Sequence, residues 1–167
     1  MVMWVRCWRV VRHGCCYPWR FAWLNARTRQ SLQEAVAAAE LGHGGEVVLV
    51  IERTLPLDWA WQGSVRARAE ALFASLRVWE TKNRSGVLVY VNLLERRLEL
   101  VVDEGIRGKA PQALWQAHCD EALMALKQGQ ALTGLLNLVA RIGQTLRAYE
   151  GGEDVFGNEL DDGAHIL

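Results

Sequence analysis

The sequence predicts an α/β protein, a three-layer α/β/α sandwich around a small mixed sheet. Three observations carry that prediction. First, Glu46 to Arg53 (EVVLVIER) and Gly86 to Leu94 (GVLVYVNLL) are short, β-branched and nearly continuously apolar, as suits strands covered on both faces. Second, Gly63 to Val78 between them has helical spacing. Val65, Ala69, Leu72, Phe73 and Leu76 mark one side, and Arg66, Arg68, Glu70 and Arg77 the other. A strand–helix–strand crossover of that length implies parallel strands joined right-handedly. Third, Leu98, Leu100 and Val102 alternate with Arg97 and Glu99, the period of a strand with one wetter face. A tight turn at Glu95 and Arg96 makes strand 97–103 antiparallel to its predecessor, so the sheet is mixed.

The other elements follow in order. Residues 1–24 (MVMWVRCWRVVRHGCCYPWRFAWL) hold four of the eight tryptophans. Trp4, Trp8 and Val11 would share one face of a short helix, as would Trp19 and Trp23. Tryptophan mixed with arginine is the composition of an interfacial membrane segment. Trp4, Trp8, Arg9, Arg12, Trp19, Arg20 and Trp23 are therefore the candidate contacts to an anionic membrane surface or a partner. An arm packed on the domain is the alternative. Nucleic acid fits less well, because the arm has no lysine and no known motif.

Asn25 or Thr28 would cap a helix running to about Leu41, with Leu32, Ala35, Val36 and Ala39 inward. Gly42, Gly44 and Gly45 end it, and His43 in that turn is expected to be solvated. Thr54 to Asp58 is expected to be a loop, since Pro56 forbids regular pairing; Trp59 and Trp61 would pack against it, with a ligand-facing aromatic patch as the alternative. Pro111 opens a helix to about Gln128, carrying Leu114, Trp115, Cys119, Ala122, Leu123 and Leu126 on its buried side. A last helix, 132–149, turns Leu135, Leu136, Val139, Ile142 and Leu146 inward. The divisions are thus an arm (1–24), an α/β domain (25–150) and an acidic tail (151–167).

A chain of 167 residues with half its residues apolar fits one such domain. Its net charge is zero but unevenly spread. Residues 1–30 hold six arginines and no acid, whereas residues 148–167 hold six acids and no lysine or arginine. The four cysteines show no metal-ligand spacing and are expected to be reduced. No apolar run reaches the length of a signal-peptide core or the roughly 18 residues of a membrane span. The expected location is cytoplasmic, or peripheral at an inner membrane.

Topology says where polar groups can meet. Asp103 and Glu104 end the third strand beside the starts of the first two, with His43, Glu46, Asn83 and Ser85. Glu46, Asp103 and Glu104 are the candidate ligands for a hard cation, Ca²⁺ or Mg²⁺; an ordinary sheet end with solvated charges is the alternative. The opposite edge gathers Arg53, Asp58, Asn92 and Glu95 at the carboxyl ends of the parallel strands, where open α/β sheets usually bind ligands. Cys119 lies on an apolar helix face and is read as packing. No GxSxG, Walker A, strand-linked GxGxxG or HExxH motif is present.

The order of segments resembles the TPM domain. The residues that carry the likeness are GEVVLVIE, LFASLRVWETKNRSGVLVYV, LLERRLELVVDEGIRGKAP, QGQALTGLLNLVARIGQTL and the tail NELDDGAHIL. The likeness covers roughly residues 28–150. The family includes thylakoid-lumen proteins of photosystem II repair, an animal modulator of acetylcholine receptors and many bacterial proteins. The resemblance implies an α/β/α sandwich, a divalent-cation site near the acidic loops and, from plant relatives, acid-phosphatase activity. Bacterial relatives also imply a LemA-type membrane-protein partner and an envelope-linked role. One departure matters: Arg84 and Ser85 stand where the family's turn usually carries acids. The expectation is therefore a binding or accessory module, with a cation-assisted phosphatase as the alternative.

Overall fold

The computed structural model describes residues 2–15, 21–150 and 164–167. Trp19, Arg20 and most of the acidic tail lie outside the described residues. The helices are α1 (Val2–Gly14), α2 (Ala26–Glu40), α3 (Leu57–Gln62), α4 (Val65–Ser75), α5 (Glu104–Arg107), α6 (Gln112–Lys127) and α7 (Ala131–Glu150). The strands are β1 (Val47–Glu52), β2 (Val87–Asn92), β3 (Arg97–Val102) and β4 (Ala164–Ile166), in spatial order β3-β2-β1-β4.

Every residue of β1 and β2 is buried, which is why their sequence reads as unbroken apolar runs. Alternation divides them between two cores. Val47, Leu49, Ile51, Val87, Val89 and Val91 face the layer of α2, α6 and α7. Val48, Val50, Leu88 and Tyr90 face the other layer, with Leu55, Ala60, Val65, Ala69 and Leu72 from α3, α4 and their approach. A fully buried Val, Leu or Ile is worth roughly 1.5–3 kcal/mol, and an exposed ion pair about 0–1 kcal/mol. The two cores, and not the surface charges, hold the sandwich.

β1 and β2 are parallel, in register Val47↔Val87 to Glu52↔Asn92. β2 and β3 are antiparallel, Val87↔Val102 to Asn92↔Arg97. The hairpin loop is four residues, Leu93 to Arg96, longer than the tight turn expected. Asn92 shapes it: its Oδ1 accepts the Glu95 N–H at 3.0 Å, an Asx-type turn. Asn25 caps α2 by accepting the Thr28 N–H, so Thr28 falls inside the first turn. There its hydroxyl donates to the Trp23 carbonyl at 2.7 Å.

Three further expectations need correction. The stretch after β1 is not loop throughout, because α3 starts one residue beyond Pro56, whose ring suits a helix start. The tail is not only acidic coil: Ala164–Ile166 lies parallel to β1 as a fourth strand. The Leu167 N–H also donates to the Ile51 carbonyl at 2.9 Å. Finally, His43 is not solvated. It is 1% exposed, donates from Nε2 to the Ala39 carbonyl at 2.6 Å and accepts the Gly45 N–H on Nδ1 at 3.1 Å, which fixes its tautomer.

Candidate functional site

The edge where β1 and β2 begin is built by two backbone segments pressed together. Gly105 N–H donates to the Arg84 carbonyl at 2.9 Å, and Asp103 N–H to the Gly86 carbonyl at 2.9 Å. A Cβ on Gly105 would lie 2.0 Å from the Asn83 carbonyl oxygen, and one on Gly86 would lie 1.9 Å from that of Val78. Only glycine allows this approach. Asn83-Arg84-Ser85-Gly86 and the loop after Asp103 are therefore a matched pair.

The polar groups of that edge are occupied structurally. Asp103 is buried and caps α5, its Oδ1 accepting the Glu104 N–H at 2.7 Å. Arg84, in the left-handed region at φ 51°, lies 3.4 Å from Asp103 and 3.7 Å from Glu104. Glu104 projects into solvent, its side chain 80% exposed, whereas Glu46 is buried. Ser85 donates to the Gly44 carbonyl at 3.2 Å.

Asp103 Oδ2 is buried without a hydrogen-bond partner, so one carboxylate oxygen is left for a ligand. Water can complete a hard cation's shell, but the protein must bring carboxylates to one point, and Arg84 already lies against Asp103 and Glu104 with the positive charge. Among the described residues, no group of three or more His, Cys, Asp or Glu side chains is placed to hold a metal. The residues present do not fit Ca²⁺ or Mg²⁺.

The carboxyl edge holds a denser network; of Arg53, Asp58, Asn92 and Glu95, expected there, Asn92 and Glu95 belong to it. Glu52, 2% exposed at the end of β1, accepts Arg68 Nη2 at 2.5 Å on Oε1. It also accepts the Tyr90 hydroxyl at 2.6 Å on Oε2. Asn92 Nδ2 donates to the Tyr90 oxygen at 3.3 Å. The Arg68 guanidinium lies over Trp59, 5.6 Å from the ring centre. Burial, then the hydrogen bond to Glu52, pushes the Tyr90 hydroxyl pKa well up. Burial works to lower that of Arg68, and its bond to Glu52 more than reverses this. Tyr90 thus stays a neutral donor and Arg68 a cation.

Glu95 joins this edge to α1. Its Oε1 accepts Arg9 Nε at 2.8 Å and His13 Nε2 at 2.7 Å, with Arg12 3.8 Å away. Arg9 also donates to the Gly63 carbonyl at 2.7 Å, and Arg12 to that of Leu94 at 3.1 Å. His13 is buried and accepts the Leu55 N–H on Nδ1 at 2.9 Å. Burial alone would raise the Glu95 carboxyl, but the bonds from Arg9 and His13 outweigh it and hold the pKa below the usual range.

The candidate contacts of the arm therefore separate. Arg9 and Arg12 grip the domain. Trp23 packs against the larger core. Trp4 and Trp8 remain 83% and 67% exposed, with Val11 at 52%; they lie on the same stripe at i, i+4 and i+7. What sequence reading missed was His13, Glu52, Arg68 and Tyr90. An acid as the last residue of an otherwise apolar strand, with an arginine on the following helix, was the available signal.

Of the other polar residues, His118 donates from Nε2 to Thr145 Oγ1 at 3.0 Å. Burial, then Arg141, lowers its pKa. Burial, then Asp120, pushes the Cys119 thiol up to about 12, consistent with packing and not nucleophilic use.

The mixed four-stranded sheet between two helical layers defines an α/β/α sandwich. The family model described as the TPM domain matches residues 22–145. The chain belongs to the TPM-domain family. Its fold is similar to the NMR structure of the BA42 protein from the psychrophilic bacterium Bizionia argentinensis, with a TM-score of 0.76 and 24% identity. That match covers 86% of this chain and 95% of the other. Comparison with curated proteins gave no match.

Proposed function

We propose that this TPM-domain protein is a binding or accessory module that docks on an anionic membrane surface through α1. One observation carries the reading. One side of α1 is fixed to the sheet edge by Arg9, Arg12 and His13, while the other presents Trp4 and Trp8 largely to solvent. Indole rings exposed on a helix held by ion pairs have little to gain in water, and an interface accepts both their apolar body and their N–H. The attachment proposed is peripheral; no described helix is long and apolar enough to cross a membrane. A LemA-type membrane protein, the partner implied by family resemblance, would meet the same stripe.

Sedimentation with phosphatidylglycerol-containing vesicles tests the reading. The full chain should pellet with vesicles, and Trp4→Ala with Trp8→Ala should lose most of that binding at unchanged melting temperature. Equal, negligible binding by both would sink the lipid reading. Glu95→Gln should also weaken binding by loosening the helix that presents the rings.

A further inference from the structure

β3 is an end strand of the sheet, hydrogen-bonded only to β2 among the described strands. The Asp103 N–H is directed to Gly86 of the strand beside it. By alternation, Leu98, Leu100 and Val102 turn their backbone groups outward. Side chains close two of these positions: Arg66 Nη1 donates to the Leu100 carbonyl at 2.7 Å, and Arg107 Nε to that of Val102 at 3.1 Å. Charged side chains over a free edge are a usual guard against pairing, and they can be displaced.

A groove of about 420 Å³ is lined by this strand, by Arg66 of α4 and by α6. Its polar lining is weighted toward donors. Arg66, Arg97 and Arg107 line it with one acid, Glu99, and Gln112 and Gln116 add amides; Arg66 also pairs with Glu70 beside the groove at 2.8 Å, so the arginines outnumber the acids by three to two. Trp115 also lines it; that residue is 2% exposed, and its buried indole N–H has no hydrogen-bond partner. The opposite edge already accepts an extended segment, β4, which in sequence follows Glu159, Asp161 and Asp162.

We propose that the outer edge of β3 is a docking site for an extended acidic peptide, which adds as a further strand. The peptide's main chain would replace Arg66 at the Leu100 carbonyl and pair with Leu98 and Leu100. Its carboxylates, projecting from one side of the added strand, would take Arg66 and Arg97. Pairing of two β3 edges from two copies is disfavoured, because each brings three arginines against two acids, Glu70 and Glu99. The site is separate from the tryptophan stripe and does not depend on the membrane reading.

The probe is a short synthetic peptide alternating glutamate and valine, with a lysine–valine peptide and inorganic phosphate as comparisons, all added to the full chain. Saturable binding of the acidic peptide is expected, weakening as salt rises. Amide hydrogen exchange at Leu98 and Leu100 should slow when it binds. Arg97→Glu and Arg66→Glu, both at exposed guanidinium groups, should each weaken binding by about tenfold or more. The proposal is overturned by any of four results: no binding, equal binding of the lysine peptide, binding without slowed exchange at Leu98 and Leu100, or full competition by phosphate alone. The last would mark a small-anion site.

Discussion

His13 donates its Nε2 hydrogen to Glu95 Oε1 at 2.7 Å, across 82 residues of sequence. The other ring nitrogen accepts the Leu55 N–H, so the imidazole bridges the first helix, the loop after β1 and the hairpin. Glu95 is the hub of that bridge, because Arg9 reaches the same oxygen. Charge-assisted hydrogen bonds at partly buried positions contribute about 1.5–3 kcal/mol. Glu95→Gln should therefore lower stability by about 1–3 kcal/mol, read by urea denaturation at neutral pH.

The same substitution has a defined pH dependence. The folded Glu95 carboxyl titrates below its ordinary range, and the unfolded one near about 4.3. Its stabilisation is complete above the unfolded value and is lost as pH falls through the folded value. The gap between wild type and Glu95→Gln should shrink below about pH 4.3 and close in stronger acid. A gap that widened below that pH would contradict the assignment.

Removing Arg68 should be more damaging than removing any exposed arginine. Glu52 is 2% exposed, and Arg68 is its cationic partner. Arg68→Met would leave that carboxylate buried with only the Tyr90 hydroxyl. Breaking one side of a buried pair costs about 3–5 kcal/mol. Adding Glu52→Gln to Arg68→Met should restore part of the loss, because the uncompensated charge goes with it. Denaturation midpoints of the two single variants and the double variant measure this coupling.

These networks mark the limit of what was legible in the sequence. The strands of the βαβ unit and hairpin were visible because burial on both faces writes itself as β-branched runs, and β3 kept a period of two. β4 was not, since three residues after a glycine carry no period. Asp103 and Glu104 were placed at the correct edge by strand direction alone. Their pairing with Arg84 depends on a left-handed turn that local pattern does not reveal. The exposed stripe of Trp4 and Trp8 was readable from helical spacing. The partners of Arg9, Arg12 and His13 were not, because Glu95 lies more than eighty residues away. His43 was misjudged for a similar reason: its partners are backbone groups, which every sequence supplies and none advertises.

The end of α4 offers a stabilising substitution. Val78 N–H donates to the Phe73 carbonyl at 3.1 Å, and Arg77 N–H to that of Ala74 at 3.2 Å. This is a Schellman closure with arginine at φ 55°. At the end of α6 the corresponding left-handed residue is Gly129, at φ 79°. An L-residue with a Cβ costs roughly 1–2 kcal/mol in that region, offset by about 0.5–1 kcal/mol of extra chain entropy when glycine replaces it. Arg77 is 70% exposed, and its ion pair with Glu80 is a surface one. Arg77→Gly should therefore raise stability by about 0.5–1 kcal/mol, and Gly129→Ala should lower it by a similar amount. Thermal melting of the two variants should shift in opposite directions.

Thiol chemistry gives a site-resolved check on packing. Cys7 and Cys15 are exposed, whereas Cys119 is only partly accessible. Burial, and then the neighbouring Asp120, pushes the Cys119 thiol up to about 12. Because alkylation needs the thiolate, the fraction of Cys119 able to react at pH 8 is on the order of one part in ten thousand at that pKa, against roughly a quarter for an unperturbed thiol near 8.5. Iodoacetamide at pH 8 followed by peptide mass spectrometry should label Cys7 and Cys15 within minutes and leave Cys119 unmodified. Urea should expose it and bring its rate up to theirs. Labelling of Cys119 in the native chain at the rate of Cys7 would mean that α6 does not pack against β3 as described.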